Sequence, residues 1–253
     1  MKYFIPKKYI KLLMLSILSR IIILSIGKLS SKIFIPFDKT QLSNSPFNFI
    51  LHWDAINFYI VSKHGYFSEH ILAFYPFYPY TVRFITSIFN ISTLLSGFII
   101  SNLCFIINSL LLYHITHKIH PNLAYSTFLF FIFSPASILS SSLYTESIFM
   151  SLFLLGLPNT ISFKNIIDYN FIFHIFVIFT RSNGLLFCIF YLKKPIKFMI
   201  LILSFIIHNT FLYLYTGIPF TYTYIQKTYW EQGFLKFYTY AKNIPNTLVG
   251  LPF

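Results

Sequence analysis

Acidic side chains are scarce in this chain: Asp and Glu number 6 in 253 residues, against 19 Lys and Arg. Charged residues of both signs make up only 10%, too few to solvate a soluble domain with this apolar content. Cysteine occurs twice, as Cys104 and Cys188, both inside apolar runs at no ligand spacing. That pattern supports neither a disulfide framework nor a zinc site. There is no Gly-rich nucleotide loop, Walker motif or Ser-His-Asp order, which disfavours a cytosolic enzyme using ATP or a sugar nucleotide. The formal charge of +13 would suit nucleic acid, but the Lys and Arg residues flank apolar runs and form no continuous stripe.

What is abundant is apolar and aromatic: 56% hydrophobic residues, with a mean hydropathy of +0.69. An all-α, polytopic membrane protein follows, read as a single domain over residues 1–253. A spanning helix needs about 20 apolar residues. The first candidate is Tyr9 to Ile26; Lys2, Lys7, Lys8 and Lys11 stand ahead of the apolar run Leu12 to Leu29, which has Arg20 inside it and no small-residue cleavage site. Residues Ser30 to about Phe74 form an extramembrane loop with short interfacial helices, since Pro36, Pro46 and a polar run break the periodicity. Tyr80 to Phe89 carries Arg83, is too short to span and reads as interfacial or re-entrant. Further apolar segments are Leu94 to Ile115, Asn122 to Leu139, Glu146 to Leu157, Tyr169 to Tyr191 and Phe198 to Tyr215. Thr180 to Gly184 splits the fifth of these six apolar runs, and Gly217 to Phe253 is expected to be a second loop.

The positive-inside rule orients the chain. The N-terminal lysines, Lys118, Lys164 and the Lys193 to Lys197 cluster alternate correctly if all are cytosolic. Asp38, Asp54, Glu69, Glu146 and Glu231 then share the opposite side, with Asp168 alone on the cytosolic one. Ionisable groups in or against a bilayer cost at least ~2.5 kcal/mol on insertion scales, so each is a functional hint.

Asp54 lies in the most suggestive stretch, His52-Trp53-Asp54-Ala55, followed by Lys63-His64-Gly65-Tyr66 and Glu69-His70. Its plain alternatives are a helix N-cap and a solvated loop acid. Glu146 follows a Ser-rich turn, where a capping pattern and a site role are equally open. Arg181 interrupts an apolar segment and must meet water, a phosphate or a carboxylate, Glu146 being the structural option. His114, His117 and His120 lack a nearby acid or cysteine, so no metal site is expected.

These residues fall in blocks that resemble a known family, the second mannosyltransferase of glycosylphosphatidylinositol (GPI) anchor assembly, the PIG-V family. The blocks are Trp53-Asp54 with His64-Gly65-Tyr66, Glu69-His70 and Ala73-Phe74-Tyr75-Pro76; Ser134-Pro135-Ala136-Ser137 with Tyr144-Thr145-Glu146-Ser147; Thr180-Arg181-Ser182-Asn183-Gly184; and Tyr224-Ile225-Gln226 with Tyr229-Trp230, Gly233-Phe234-Leu235 and Ile244-Pro245-Asn246. The resemblance implies a GT-C type membrane glycosyltransferase, with a catalytic Asp in the lumenal loop after the first span. It implies transfer of an α-1,6-linked second mannose from dolichyl phosphate mannose to the mannosyl-glucosaminyl-phosphatidylinositol intermediate, in the endoplasmic reticulum (ER) membrane. Family members continue past the Ile-Pro-Asn block, so the chain is expected to be shortened at its C-terminus.

At the matching position Asp54 takes the role of catalytic base. Trp53, His64, Glu69, His70, Arg83, Glu146, Arg181, Asn183, Gln226 and Trp230 are the expected substrate-binding residues. A β-linked donor and an α-linked product require inversion, for which one carboxylate suffices, and Asp54 has no obvious carboxylate partner in the sequence. Arg181 and Arg83 are the candidates for the leaving phosphate. No cofactor or metal is called for. The expected partners are the donor lipid, the GPI intermediate, ER membrane lipids and a small accessory membrane subunit. The alternatives are another dolichyl-phosphate-sugar transferase, or a non-catalytic membrane partner or lipid carrier retaining the fold.

Overall fold

A computed structural model of the chain describes residues 7–35, 47–157 and 170–232. Asp38, Lys164, Asp168 and the blocks at 233–235 and 244–246 lie outside them. Among the described residues every regular element is a helix. The α-helices are α1 (Lys7–Ile33), α2 (Asp54–His64), α3 (Phe77–Phe89), α4 (Thr93–Ile119), α5 (Ala124–Ile132), α6 (Glu146–Gly156), α7 (Phe171–Ile178), α8 (Pro195–Thr216) and α9 (Thr221–Trp230). Helices α1, α4 and α8 are each long and apolar enough to cross a membrane. The chain is a multi-pass membrane protein.

The structure differs from the sequence reading at three places. Asn122 to Leu139 is not one straight span: α5 ends at Ile132, and a 3-10 helix from Pro135 to Ser141 leaves it at 69°. Pro135 lacks an N–H and forces Ser134 out of the helical region, to φ −58° and ψ 135°. Glu146–Gly156 has 11 residues, too few to span. The stretch read as a second loop after Gly217 begins with helix α9. The break in the Tyr169 to Tyr191 segment is where the sequence puts it, with α7 ending at Ile178 and a 3-10 helix running from Ser182 to Tyr191.

The chain folds as two compact units, residues 1–65 with 74–204, and residues 66–73 with 205–253. The first is built around α4, whose N-terminus is capped by the Ser92 hydroxyl accepting from Leu95 N–H at 3.3 Å. Leu12, Phe105, Tyr113, Phe128 and Ile132 form an apolar core between α1, α4 and α5. Small polar residues tie the helices where lipid offers no hydrophobic gradient. Ser16 bonds Ser109 at 2.7 Å, Asn108 Nδ2 donates to Ser147 O at 2.8 Å, and Ser151 Oγ donates to Asn108 Oδ1 at 2.7 Å. In the second unit Leu72, Leu212 and Ile225 are the buried core.

Arg20 sits inside the α1 span, only 3% exposed. Its guanidinium donates to Ser137 O at 2.8 Å, Ser141 Oγ at 3.0 Å and Ile132 O at 3.1 Å. The guanidinium carbon lies over the Phe105 ring, 3.5 Å from its centroid. The break between α5 and the 3-10 helix frees carbonyls that have no water to turn to, and Arg20 supplies their donors.

Candidate active site

Asp54 is the first residue of α2, and the turn leading into it is strained. Trp53 has φ 57° and ψ −131°, with Ala55 N–H donating to His52 O at 3.2 Å across it. A bulky aromatic residue at positive φ persists only where its surroundings impose it, and such strain gathers at functional sites. Tyr144 helps impose it. Its hydroxyl donates to His52 O at 3.2 Å and lies against the backbone N–H groups of Asp54 and Ala55. Partial burial, with the Asp54 charge adding to it, pushes the Tyr144 phenol up to about 12. Trp53, at 62% exposure, turns its indole outward.

The Asp54 side chain is not the cap of α2: the N-cap is Trp53, and it makes no side-chain capping bond. Asp54 is exposed to solvent, but its neighbours strip part of its hydration. Its pKa is therefore raised, first by partial burial and then by the negative charge of Glu146, with the positive charge of Arg181 opposing. The structure thus supplies the neighbouring carboxylate that was not evident in the sequence. Glu146 begins α6, where Thr145 makes no capping bond, so the capping pattern read there does not form. Glu146 Oε1 instead accepts from Arg181 Nη1, while Oε2 is buried and has no hydrogen-bond partner among the described residues. Arg181 leaves α7 in extended backbone and also lies 5.9 Å from the Phe149 ring centroid. Asn183 follows it on the exposed face of the next 3-10 helix.

Two of the remaining expected residues lie in the same unit as Asp54 but away from it. His64 and Arg83 are at the opposite end of α2, where Gly65, at φ 80°, ends the helix. Within the second unit, Glu69 Oε2 accepts from the Tyr229 hydroxyl at 3.0 Å, and the His70 ring is 5.8 Å from that of Tyr229. Trp230 packs against the core of that unit, and Gln226 O accepts from Gln232 N–H at 2.9 Å. The first unit also contains His114, whose Nδ1 is 2.9 Å from the Tyr9 hydroxyl.

The chain as a whole is similar to known proteins along most of its length. The mannosyltransferase (PIG-V) family model matches residues 1–214 and 208–253. The chain belongs to the PIG-V mannosyltransferase family. Among relatives, the fly Drosophila pseudoobscura pseudoobscura has a "GPI mannosyltransferase 2" that is 26% identical, aligned over 79% of this chain and 60% of the relative. A Candida albicans "GPI mannosyltransferase 2" is 25% identical over 81% of this chain and 62% of the relative. The human "GPI alpha-1,6-mannosyltransferase 2" is 23% identical over 79% of this chain and 55% of the relative. The chain therefore spans about three fifths of the length of these relatives. No solved structure matches it significantly.

Two residues of this PIG-V family chain have structural parts that the sequence did not assign them. Tyr144 lies in a matching block, but its hold on the Asp54 turn depends on a contact 92 positions away. Arg20 was visible as a charge inside a span, and that alone marks a residue with a task.

Proposed function

We propose that this chain carries the mannosyl-transfer site of a GPI-anchor assembly enzyme, one that adds the second mannose in α-1,6 linkage. The observation that carries the reading is the convergence of Asp54, Glu146 and Arg181, from three different matching blocks, beside a strained turn. The donor is dolichyl phosphate mannose and the acceptor a mannosyl-glucosaminyl-phosphatidylinositol lipid. The site faces the ER lumen, as the placement of the lysine-rich loops supports.

In the reaction the acceptor's hydroxyl oxygen bonds to the donor's anomeric carbon as the bond from that carbon to the phosphate oxygen breaks. The bonding pair leaves with dolichyl phosphate, and the hydroxyl proton passes to Asp54. A carboxylate whose pKa is raised toward the working pH is a stronger base while remaining ionised, which suits it to this role. Glu146 has its charge engaged by Arg181, so Asp54 is the carboxylate left to take the proton. Arg181 carries five N–H donors, and those not used by Glu146 are suited to the phosphate as it gains charge. The exposed Trp53 ring offers a face for a sugar. The scheme needs no metal.

The reading is tested by expressing the chain in cells that lack the second GPI mannosyltransferase. Return of GPI-anchored proteins to the surface is the expected result. Normal membrane accumulation of the chain with no rescue, and no extension of the one-mannose intermediate in isolated membranes, would sink it.

A further inference from the structure

Arg83 is a cation without an assigned counter-charge. It projects from α3 to the C-terminal end of α2, where its Nη1 lies 3.5 Å from the point a Gly65 side chain would occupy. Lys63 and His64, both exposed, are the last residues of α2 at that end. Those two have an ordinary explanation, since cations complement the negative end of a helix dipole. Arg83 does not: it comes from another helix, is exposed, and pairs with no carboxylate among the described residues.

The distance from Asp54 decides what this cluster can hold. Helix α2 has 11 residues, so its ends are about 15 Å apart at the α-helical rise per residue. The donor's phosphate leaves the very carbon that the acceptor oxygen attacks and cannot be that far from the base. In the acceptor, by contrast, a mannose, a glucosamine and an inositol ring in series separate the reacting hydroxyl from the phosphate. Three linked rings are a length of the same order as α2. The same helix that presents Arg83 lines an apolar groove: Phe77, Tyr80 and Phe84 face Phe176 and Phe179 around a cavity of about 450 Å³. Arg83 does not line that cavity itself but is the chain neighbour of Phe84, which does, so the same helix offers a cation for a phosphate and an apolar groove for a hydrocarbon chain.

We propose that Arg83, with Lys63 and His64, binds the phosphate of the acceptor glycolipid, that the groove along α3 takes its lipid chain, and that α2 sets the reach from phosphate to Asp54. This rests on the mannosyl-transfer reading for the identity of the acceptor. A guanidinium contact to phosphate is charge-assisted, and losing one corresponds to about tenfold or more in affinity.

The test measures binding to the purified full chain in nanodiscs, using two soluble probes: mannosyl-glucosaminyl-inositol phosphate and the same glycan without phosphate. Wild type is expected to bind the phosphorylated probe about tenfold or more tightly than the other. In Arg83→Gln the two affinities converge, the phosphate-free probe binding as it does to wild type, while Arg83→Lys retains part of the preference. Melting curves of each variant accompany the titrations. Equal affinity of wild type for both probes, or a preference unchanged in Arg83→Gln, overturns the proposal. Mannose transfer by wild type without phosphate preference sinks this subsite alone. Phosphate-dependent binding lost in Arg83→Gln, in a chain that never transfers mannose, upholds the subsite and sinks the catalytic reading.

Discussion

Replacing Arg20 with Met tests whether the bent helix pair that leads into Tyr144 and Glu146 is held from α1. The side chains are of similar length, but Met can offer no donor to Ile132 O, Ser137 O or Ser141 Oγ. Leaving a buried acceptor unsatisfied costs about 1–3 kcal/mol, so the two carbonyls alone amount to roughly 2–6 kcal/mol. The guanidinium's own cost in the bilayer offsets part of this, which places the expected loss toward the lower end of that range. For a domain of this size each kcal/mol corresponds to about 2–4 °C in melting temperature, so a fall of at least about 4 °C is expected. The assay is thermal unfolding of purified protein in nanodiscs, with mannose transfer measured well below the melting point. Transfer should fall by more than the folded fraction, because residues 134–145 lose their anchor while the helices persist. Arg20→Lys, reaching fewer acceptors, should lie between. An Arg20→Met protein with wild-type melting and wild-type transfer would refute the reasoning.

Two further outcomes follow from the same site. Transfer requires ionised Asp54, so the rate rises as pH increases through its pKa, which burial and Glu146 hold above the ordinary carboxylate value. Glu146→Gln removes the like charge while Arg181 stays, so the acid limb of the rate profile should move to lower pH; an upward or absent shift would contradict the electrostatic account. Arg181→Lys keeps the charge but not the planar fork, and should lower kcat through weaker stabilisation of the leaving phosphate. Wild-type kcat in that variant would return Arg181 to the structural pairing with Glu146.

The extent to which the sequence announced this architecture follows from what each element depends on. Helices α4 and α8 were legible because a long apolar run has one stable form in a bilayer. The turn at Thr180 to Gly184 was legible because it interrupts such a run with polar residues. Helix α9 was not, since Thr221 to Trp230 opens on alternating Thr and Tyr and has no apolar run, and the helix is anchored by Ile225 packing on Leu72 and Leu212. The bend after Ile132 was missed because hydropathy is blind to Pro135. Asp54 stood out through the rarity of acids. The parts played by Tyr144 and Arg20 were hidden, because each rests on contacts with residues far away in the chain, at His52 and at Ser137.

The most direct test of the central claim is the mannose-transfer rate of Asp54→Asn. Asn is nearly isosteric and keeps hydrogen-bonding capacity, so the turn at Trp53 and its tie to Tyr144 should survive, as membrane accumulation and melting of the variant would report. The amide cannot take the acceptor's proton, and general-base assistance contributes about 10²- to 10⁴-fold. In membranes supplied with labelled dolichyl phosphate mannose, the account predicts a folded, inserted protein whose extension of the one-mannose intermediate falls by that factor. An Asp54→Asn protein that accumulates normally and extends the intermediate at the wild-type rate would contradict it.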